Sequence, residues 1–455
     1  MVAAAPVAAG DAERRHFWGV VLRSIVRVPL VLIALLLAAP LGAELKPGDV
    51  LGADNWEEAR GLLPEEFLAS YQRGDFRHRI GDFAVDRIGD DPVFREAIDA
   101  NRGRYGLGPE GSIVDLRTGR APDYVYGWPF PDIDRADPQA AMKIVWNYFY
   151  MLYYGGNSHY RADLLWVSRR GLDRAIEVDT QVKYYDGQHP RFREPDADRE
   201  LLAQTLAEVR APADVNGVVS LSWRYRGADR RDSIWAFVPA LRRVRQVSPA
   251  NRSDGFLGSD LTQDDGAYFD GKVEDFTWKL VGEQDLLVLF DAPSFDRQAA
   301  LERLPGGGWR MLVPGGARVG FQVPDWTGAP WCPVQEVLIR RPHWVVEAVP
   351  KDPYYLFGRL VFRFDKELYM GSYSSKYDWQ GNLIGSYSAI RTNIVRAAPG
   401  ELWGWAGGAV ALALNWKLDR ATTAGIVAGK NVPADSRIPL SPNLFSLQRM
   451  TDRGR

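Results

Sequence analysis

From about residue 160 onward, apolar and polar side chains alternate with a period of two, a rhythm that side chains follow only along an extended strand. The clearest stretch sets Val219, Leu221, Trp223 and Tyr225 on one face and Ser220, Ser222, Arg224 and Arg226 on the other. That is the pattern of a half-buried antiparallel strand. Comparable runs predict strands near 164–170, 173–184, 233–238, 242–247, 273–281, 284–290, 309–313, 334–340, 343–349, 359–365, 367–376, 383–391 and 408–417. Turn signals separate many of them, among them Arg226-Gly227, Pro305-Gly306-Gly307-Gly308 and Asp378-Trp379-Gln380-Gly381-Asn382. Such spacing predicts one large, curved antiparallel sheet.

Upstream the apolar spacing is helical. Residues 44–78 read as one or two short amphipathic helices, with Asp54 or Asn55 as cap and Leu62, Leu63, Phe67 and Tyr71 on one face. A second helix is predicted over Pro92–Asn101. Tyr126 to Pro131 (YGWPFP) is a rigid loop, because its two prolines fix the backbone and remove donors. Asp137-Pro138 then opens a helix through about Tyr154, with Met142, Val145, Trp146, Phe149 and Leu152 on its apolar face. The fold class is therefore α+β, mainly antiparallel β. Its expected organisation is a helical cover over 44–160 and a curved sheet over 161–455, forming one structural unit.

Residues 1–43 read as an export signal. The short apolar run Val31–Ala39 follows Arg23 and Arg27, and Leu41-Gly42-Ala43 offers a cleavage site, so the mature chain is expected to begin at Glu44. The run is shorter than the roughly 20 apolar residues of a membrane span. Arg14-Arg15 resembles a twin-arginine signal, but the strongly apolar run favours the general secretory route. The expected compartment is the periplasm. An outer-membrane barrel also alternates, yet it fits poorly with a helical N-terminal third and an irregular strand–turn repeat.

Composition narrows the function. A net charge of −2 supplies no global attraction to nucleic acid, and 46% hydrophobic with 12% aromatic residues is ample for a large core. The lone cysteine, Cys332, is expected to be a buried small apolar residue. The sequence has no G-x-S-x-G elbow and no H-E-x-x-H helix. Gly425 to Lys430 imitates a phosphate loop, but it is one residue short and has Asn431 where Ser or Thr is needed. His78, His159, His189 and His343 are scattered without ligand spacing. The loop bearing Asp254, Asp260, Asp264, Asp265 and Asp270 fails a calcium-loop frame, because placing Gly266 at the required glycine puts Leu261 at the first ligand position. Asp264 and Asp265 are chain neighbours facing apart, an arrangement unsuited to paired-carboxylate hydrolysis. No catalytic residue, metal or cofactor is expected.

Two constellations remain. Arg242, Arg243 and Arg245, with Arg252 nearby, form a basic strand that either pairs with the acidic loop or recognises a headgroup or acidic partner. Trp223, Trp235, Phe237, Phe276, Trp278, Trp344, Phe362 and Phe364 fall on strand candidates. Simple core packing accounts for most such rings, but an unclosed sheet leaves an apolar concavity that incomplete helical cover turns into a pocket. The first seven of these are the candidate ligand-binding residues, and the three arginines are the candidate partner-binding residues.

Several segments, in this order, resemble a family of bacterial periplasmic proteins carrying the label "outer membrane lipoprotein-sorting protein". They are KPGDVLGADNWEEARGLLPEEF, GWPFPDIDRADPQAAMKIVWNYFY, WAFVPALRRVRQV, the DGFLGSDLTQDD…FDG loop, and HWVVEAVPKDP…GRLVFRFDKELYMGSYSSKYDWQGNL. The chain departs from its relatives at Pro239-Ala240, where they tend to have Pro-Gly. The resemblance implies a LolA/LolB-like fold, an incomplete antiparallel barrel lidded by helices around a hydrophobic cavity. It implies a non-enzymatic carrier or chaperone for a lipid or lipoprotein acyl chain, acting beside an inner-membrane lipid exporter. The rival expectation is an adaptor for an outer-membrane or transporter partner.

Overall fold

Where the sequence alternates, the backbone extends and the strands join edge to edge. The structure, a computed structural model, describes residues 44–85, 91–194, 200–295, 300–312, 318–393, 408–425 and 434–453. The export signal expected at 1–43 lies outside these residues, as does the greater part of the Gly425–Lys430 segment.

Two short strands, β1 (Val50–Leu51) and β2 (His78–Ile80), flank helix α1 (Glu65–Gln72). Helix α2 (Pro92–Asn101), a small hairpin of β3 (Tyr105–Leu107) and β4 (Ile113–Asp115), and helix α3 (Ala140–Tyr154) follow. The first long run of strands is β5 (Ser158–Ser168), β6 (Gly171–Tyr184), β7 (Leu201–Ala211), β8 (Val219–Tyr225), β9 (Ser233–Val238), β10 (Arg243–Val247) and β11 (Phe276–Asp291). Then come β12 (Ala300–Arg303), β13 (Trp309–Leu312), β14 (Glu336–Pro350), β15 (Arg359–Asp365), β16 (Gly371–Tyr377) and β17 (Leu383–Arg391). The last strands are β18 (Gly408–Asn415), β19 (Arg420–Gly425) and β20 (Ala434–Ser436), before a closing helix, α4 (Leu447–Arg453).

Every described strand except β3 and β4 belongs to one sheet. Its main run is antiparallel throughout, in the order β10–β9–β8–β7–β6–β5–β19–β18–β17–β16–β15–β14–β11. The far end of β11 also meets β17 in parallel, Phe290 opposite Arg391, although β14, β15 and β16 lie between them in the sheet. A sheet reaches a strand so far along its own order only by curling strongly. The curl is incomplete, since β10 pairs with β9 alone among the described residues.

Some boundaries differ from expectation for identifiable reasons. The predicted pairs 273–281 with 284–290, and 334–340 with 343–349, are single strands, β11 and β14, paired along their whole length. The apparent break is a bulge between Leu280 and Gly282, which bends a strand without ending it. Helix α3 begins at Ala140, not at Asp137-Pro138. The Asp134 and Asp137 carboxylates accept from the backbone N–H groups of Ala136 and Gln139, at 2.9 and 2.8 Å, and hold this stretch in turns. Asn55 caps no helix through its side chain; its Oδ1 accepts from the N–H of Gly52 at 2.9 Å. Helix α2 occupies its predicted span, with Asp91 as cap accepting from Val93 and Phe94.

The core divides into two large apolar compartments. One lies between α3 and the face of the sheet that carries Trp278, Trp344 and Phe362. The other gathers α1 (Phe67, Leu68, Tyr71) against Leu286 to Phe290, Leu338, Tyr373, Ile390 and Leu412. Strands β11 and β14 contribute to both. The tail is better packed than a loose closing segment, because Phe445 and Met450 are fully buried.

Candidate functional site

Helix α3 is apolar almost all round and therefore buried. Asn147 fixes it in place: its amide donates to the Phe130 carbonyl at 2.7 Å and its oxygen accepts from the Phe130 N–H at 3.0 Å. The rigid loop is held at a second point by Asn101, which donates to the carbonyls of Tyr126 and Trp128. Against the inner face of α3 stands an aromatic sheet surface made of Phe276, Trp278, Trp344, Phe362, Phe364 and Tyr387.

Between helix and sheet lies a turn that sequence reasoning treated only as an acidic connector. Residues Gln263–Tyr268 form a short 3-10 segment whose last residues, Ala267 and Tyr268, have φ of 52° and 103°. Both values are costly for non-glycine residues. The geometry drives Tyr268 and Phe269 into the aromatic face. The Phe269 ring lies 4.9 Å from Phe362, 5.4 Å from Trp278 and 5.5 Å from Phe276. The Tyr268 ring lies 5.5 Å from Phe364 and 5.6 Å from Tyr387, and its hydroxyl donates to the Tyr373 carbonyl at 2.6 Å. From the other side Tyr148 of α3 accepts from the Phe269 N–H at 3.1 Å, with the carbonyls of Ala267 and Phe269 at 2.9 and 2.8 Å. Gly371 makes the room, since a Cβ there would stand 1.8 Å from the Tyr268 ring.

Buried ion pairs secure the turn. Asp264 accepts from Arg252 and, at 2.8 Å, from the Tyr355 hydroxyl. Asp265 receives Lys376 and also the N–H and hydroxyl of Thr262. Asp270 meets Arg224 at 3.0 Å and Arg252 at 2.7 Å; Asp260 binds Arg420. This corrects the expectation that the acidic loop neutralises Arg242, Arg243 and Arg245. Those three are exposed at the start and along the outside of edge strand β10 and form no ion pair among the described residues. Asp264 and Asp265 instead face inward, where Arg252 and Lys376 are buried, and the half-buried Asp270 reaches the buried Arg224 and Arg252, while Asp254 is exposed.

Of the seven predicted ligand-binding aromatics, the structure brings Phe276, Trp278, Trp344 and Phe362 together under α3. Trp223, Trp235 and Phe237 form a separate cluster with Phe445 and Met450 of the tail, and the Trp223 indole donates to the Phe445 carbonyl at 2.9 Å. A surface cleft of about 400 Å³ beside the β5–β6 turn is lined by Arg169, Phe321 and Trp326, and by none of the predicted aromatics.

Four further titratable groups, Cys332, His78, Asp291 and Glu336, are buried elsewhere. Cys332 is buried, and burial pushes its thiol up. His78 lies near it, 3.9 Å from Sγ. Burial holds His78 down at about 4, so it supplies no charge to activate the thiol. Asp291 and Glu336 face each other across β11 and β14. Burial pushes Asp291 up to about 6, and burial with Asp291 beside it pushes Glu336 up to about 8. No described helix is long and apolar enough to cross a membrane.

A family model described as a protein of unknown function (DUF1329) matches residues 50–304, in agreement with the resemblance read from the sequence. No curated protein matches the chain. Among solved structures it is similar to an outer membrane lipoprotein-sorting protein domain from Vibrio parahaemolyticus, at 15% identity and a TM-score of 0.45, covering 69% of this chain and 100% of that one. It is also similar to a DUF1329 family protein from Desulfovibrio piger, at 16% identity and a TM-score of 0.42, covering 67% and 97%. A LolA superfamily protein from Nitrosomonas europaea matches at 10% identity and a TM-score of 0.39, covering 68% and 98%.

Proposed function

This chain belongs to the DUF1329 family, and from that premise we propose that it is a non-enzymatic carrier of the bacterial envelope. Its ligand is an acyl chain, of a lipid or a lipoprotein, held between α3 and the aromatic face at Phe276, Trp278, Trp344 and Phe362. The observation that carries this reading is the manner in which that face is covered. Among the described residues its cover is made of small pieces, helix α3, the β3–β4 hairpin, the loop over 125–130 and the Gln263–Phe269 turn, and the turn places two rings, Tyr268 and Phe269, against it. A turn with two strained residues is exchangeable in a way a sheet is not. An acyl chain of some sixteen carbons gains about 12 kcal/mol on burial, at about 0.8 kcal/mol per methylene. Re-exposing two aromatic rings costs about 3–6 kcal/mol, so the exchange favours the ligand. Such a carrier needs no catalytic group.

Native mass spectrometry of the protein purified from its own envelope is the test. Retained lipid in stoichiometric amount supports the proposal. Lipid-free protein that also fails to take up a fluorescent fatty acid defeats it.

A second reading rests on a different observation. Strand β10 leaves its outer edge open among the described residues, with Arg242, Arg243 and Arg245 exposed beside it and unpaired. An open edge bearing arginines suits an acidic extended segment of an outer-membrane or transporter partner.

A further inference from the structure

The buried arginines of the described residues are accounted for with one exception. Arg224, Arg252 and Arg341 each hold carboxylates, and Arg437 donates to the Tyr154 carbonyl at 3.2 Å. Arg391 is 4% exposed, yet its Nε and Nη2 have no hydrogen-bond partner. It ends the row Tyr387–Ala389–Arg391 on β17, the row whose first two members line the α3 compartment. Its surroundings agree with that placement: burial raises the hydroxyls of Tyr148, Tyr268 and Tyr387, and the Arg391 charge pulls against it in all three. The carboxylate that feels it, Asp365, is already committed to Arg341 through two bonds of 2.7 and 3.0 Å. A guanidinium taken out of water with donors unused is costly, and such donors are kept where an anion completes them. The planar fork of arginine matches the oxygens of a carboxylate or a phosphate.

We propose that Arg391 receives the anionic head, carboxylate or phosphate, of the amphiphile whose apolar tail lies on the aromatic face. This rests on the carrier reading and adds to it the sign of the ligand's charge. The chain therefore selects acidic amphiphiles over neutral ones of the same tail.

The experiment compares oleate with methyl oleate, and phosphatidate with diacylglycerol, by displacement of a fluorescent probe from the wild-type protein, Arg391→Met and Arg391→Lys. We expect an acid to bind the wild type at least tenfold more tightly than its neutral counterpart. Arg391→Met should bring the two within about twofold, and Arg391→Lys should retain part of the preference. A preference confined to oleate identifies a carboxylate head; one confined to phosphatidate identifies a phosphate. Equal binding of acid and neutral form by the wild type overturns the inference and leaves the carrier reading standing. Binding of none of the four defeats both. Should Arg391→Met fail to fold, the wild-type comparison and Arg391→Lys decide the matter.

Discussion

Single residues in this interior carry opposed loads, and pH separates them. His78 and His343 are both held at about 4 by burial, below the ordinary value of about 6.5. Their contribution to stability is present above pH 6.5 and is lost as pH falls through 4. Glu336, at about 8, and Asp291, at about 6, lie above the ordinary carboxyl range. Their contribution is whole below about pH 4 and is lost as pH rises through those values. Between about pH 7.5 and 8.5 the two histidines are neutral and Asp291 is ionised in both states, which leaves Glu336, at about 8, as the member of this set that acts. The urea midpoint should fall across that window in the wild type and stay level in Glu336→Gln; parallel slopes in the two proteins would refute the assignment. Arg391 makes a second residue-scale case. Removing an unpaired buried cation should stabilise the ligand-free protein, so Arg391→Met is expected to gain about 1–3 kcal/mol in urea unfolding. A loss of stability would mean that the guanidinium is satisfied in the folded state.

At the scale of elements, the decisive one is the Gln263–Phe269 turn. Gly371→Ala puts a methyl group where the Tyr268 ring stands and should cost about 2–3 kcal/mol. Tyr148→Phe removes the hydroxyl shared with Ala267 and Phe269 and should cost about 1–2 kcal/mol. In both, hydrogen exchange at residues 263–269 should quicken while β15 to β17 stay protected; unchanged exchange would show that the ion pairs alone hold the turn. This turn also marks where the sequence stops being legible. Period-two alternation located β9, β15 and β17 to the residue, because their neighbours on each face differ in polarity. It missed β7, whose LLAQTLAEVRA reads as well at helical spacing, and β19, whose RATTAG has no large apolar residue to alternate. The aromatic face was half readable for the same reason. Alternation gives a ring's face, not which compartment that face lines, so Trp223, Trp235 and Phe237 were grouped with rings from which the fold separates them. Tyr268 and Phe269 had no periodic signal at all, since a turn has none, and their only trace is an aromatic pair in a loop otherwise rich in Asp and Gly.

For the whole molecule, the open edge at β10 and the aromatic face under α3 are separate features, so their functions should come apart. Changing Arg242, Arg243 and Arg245 to Glu should leave lipid content untouched and abolish recovery of any crosslinked envelope partner. Simultaneous loss of lipid would contradict that separation. The export reading predicts a mature protein beginning at Glu44, which N-terminal sequencing of the envelope fraction would reveal. One feature joins what these tests keep apart. The ribbon of β11 and β14 is a common wall, its first half lining the α3 compartment and its second half, past the kink at Leu280–Gly282, lining the α1 compartment. A wall shared by two rooms cannot bow outward on one side without pressing on the other. Filling the chamber under α3 should therefore be sensed at α1, which gives a loaded carrier an outward sign of its cargo on a surface the cargo never touches.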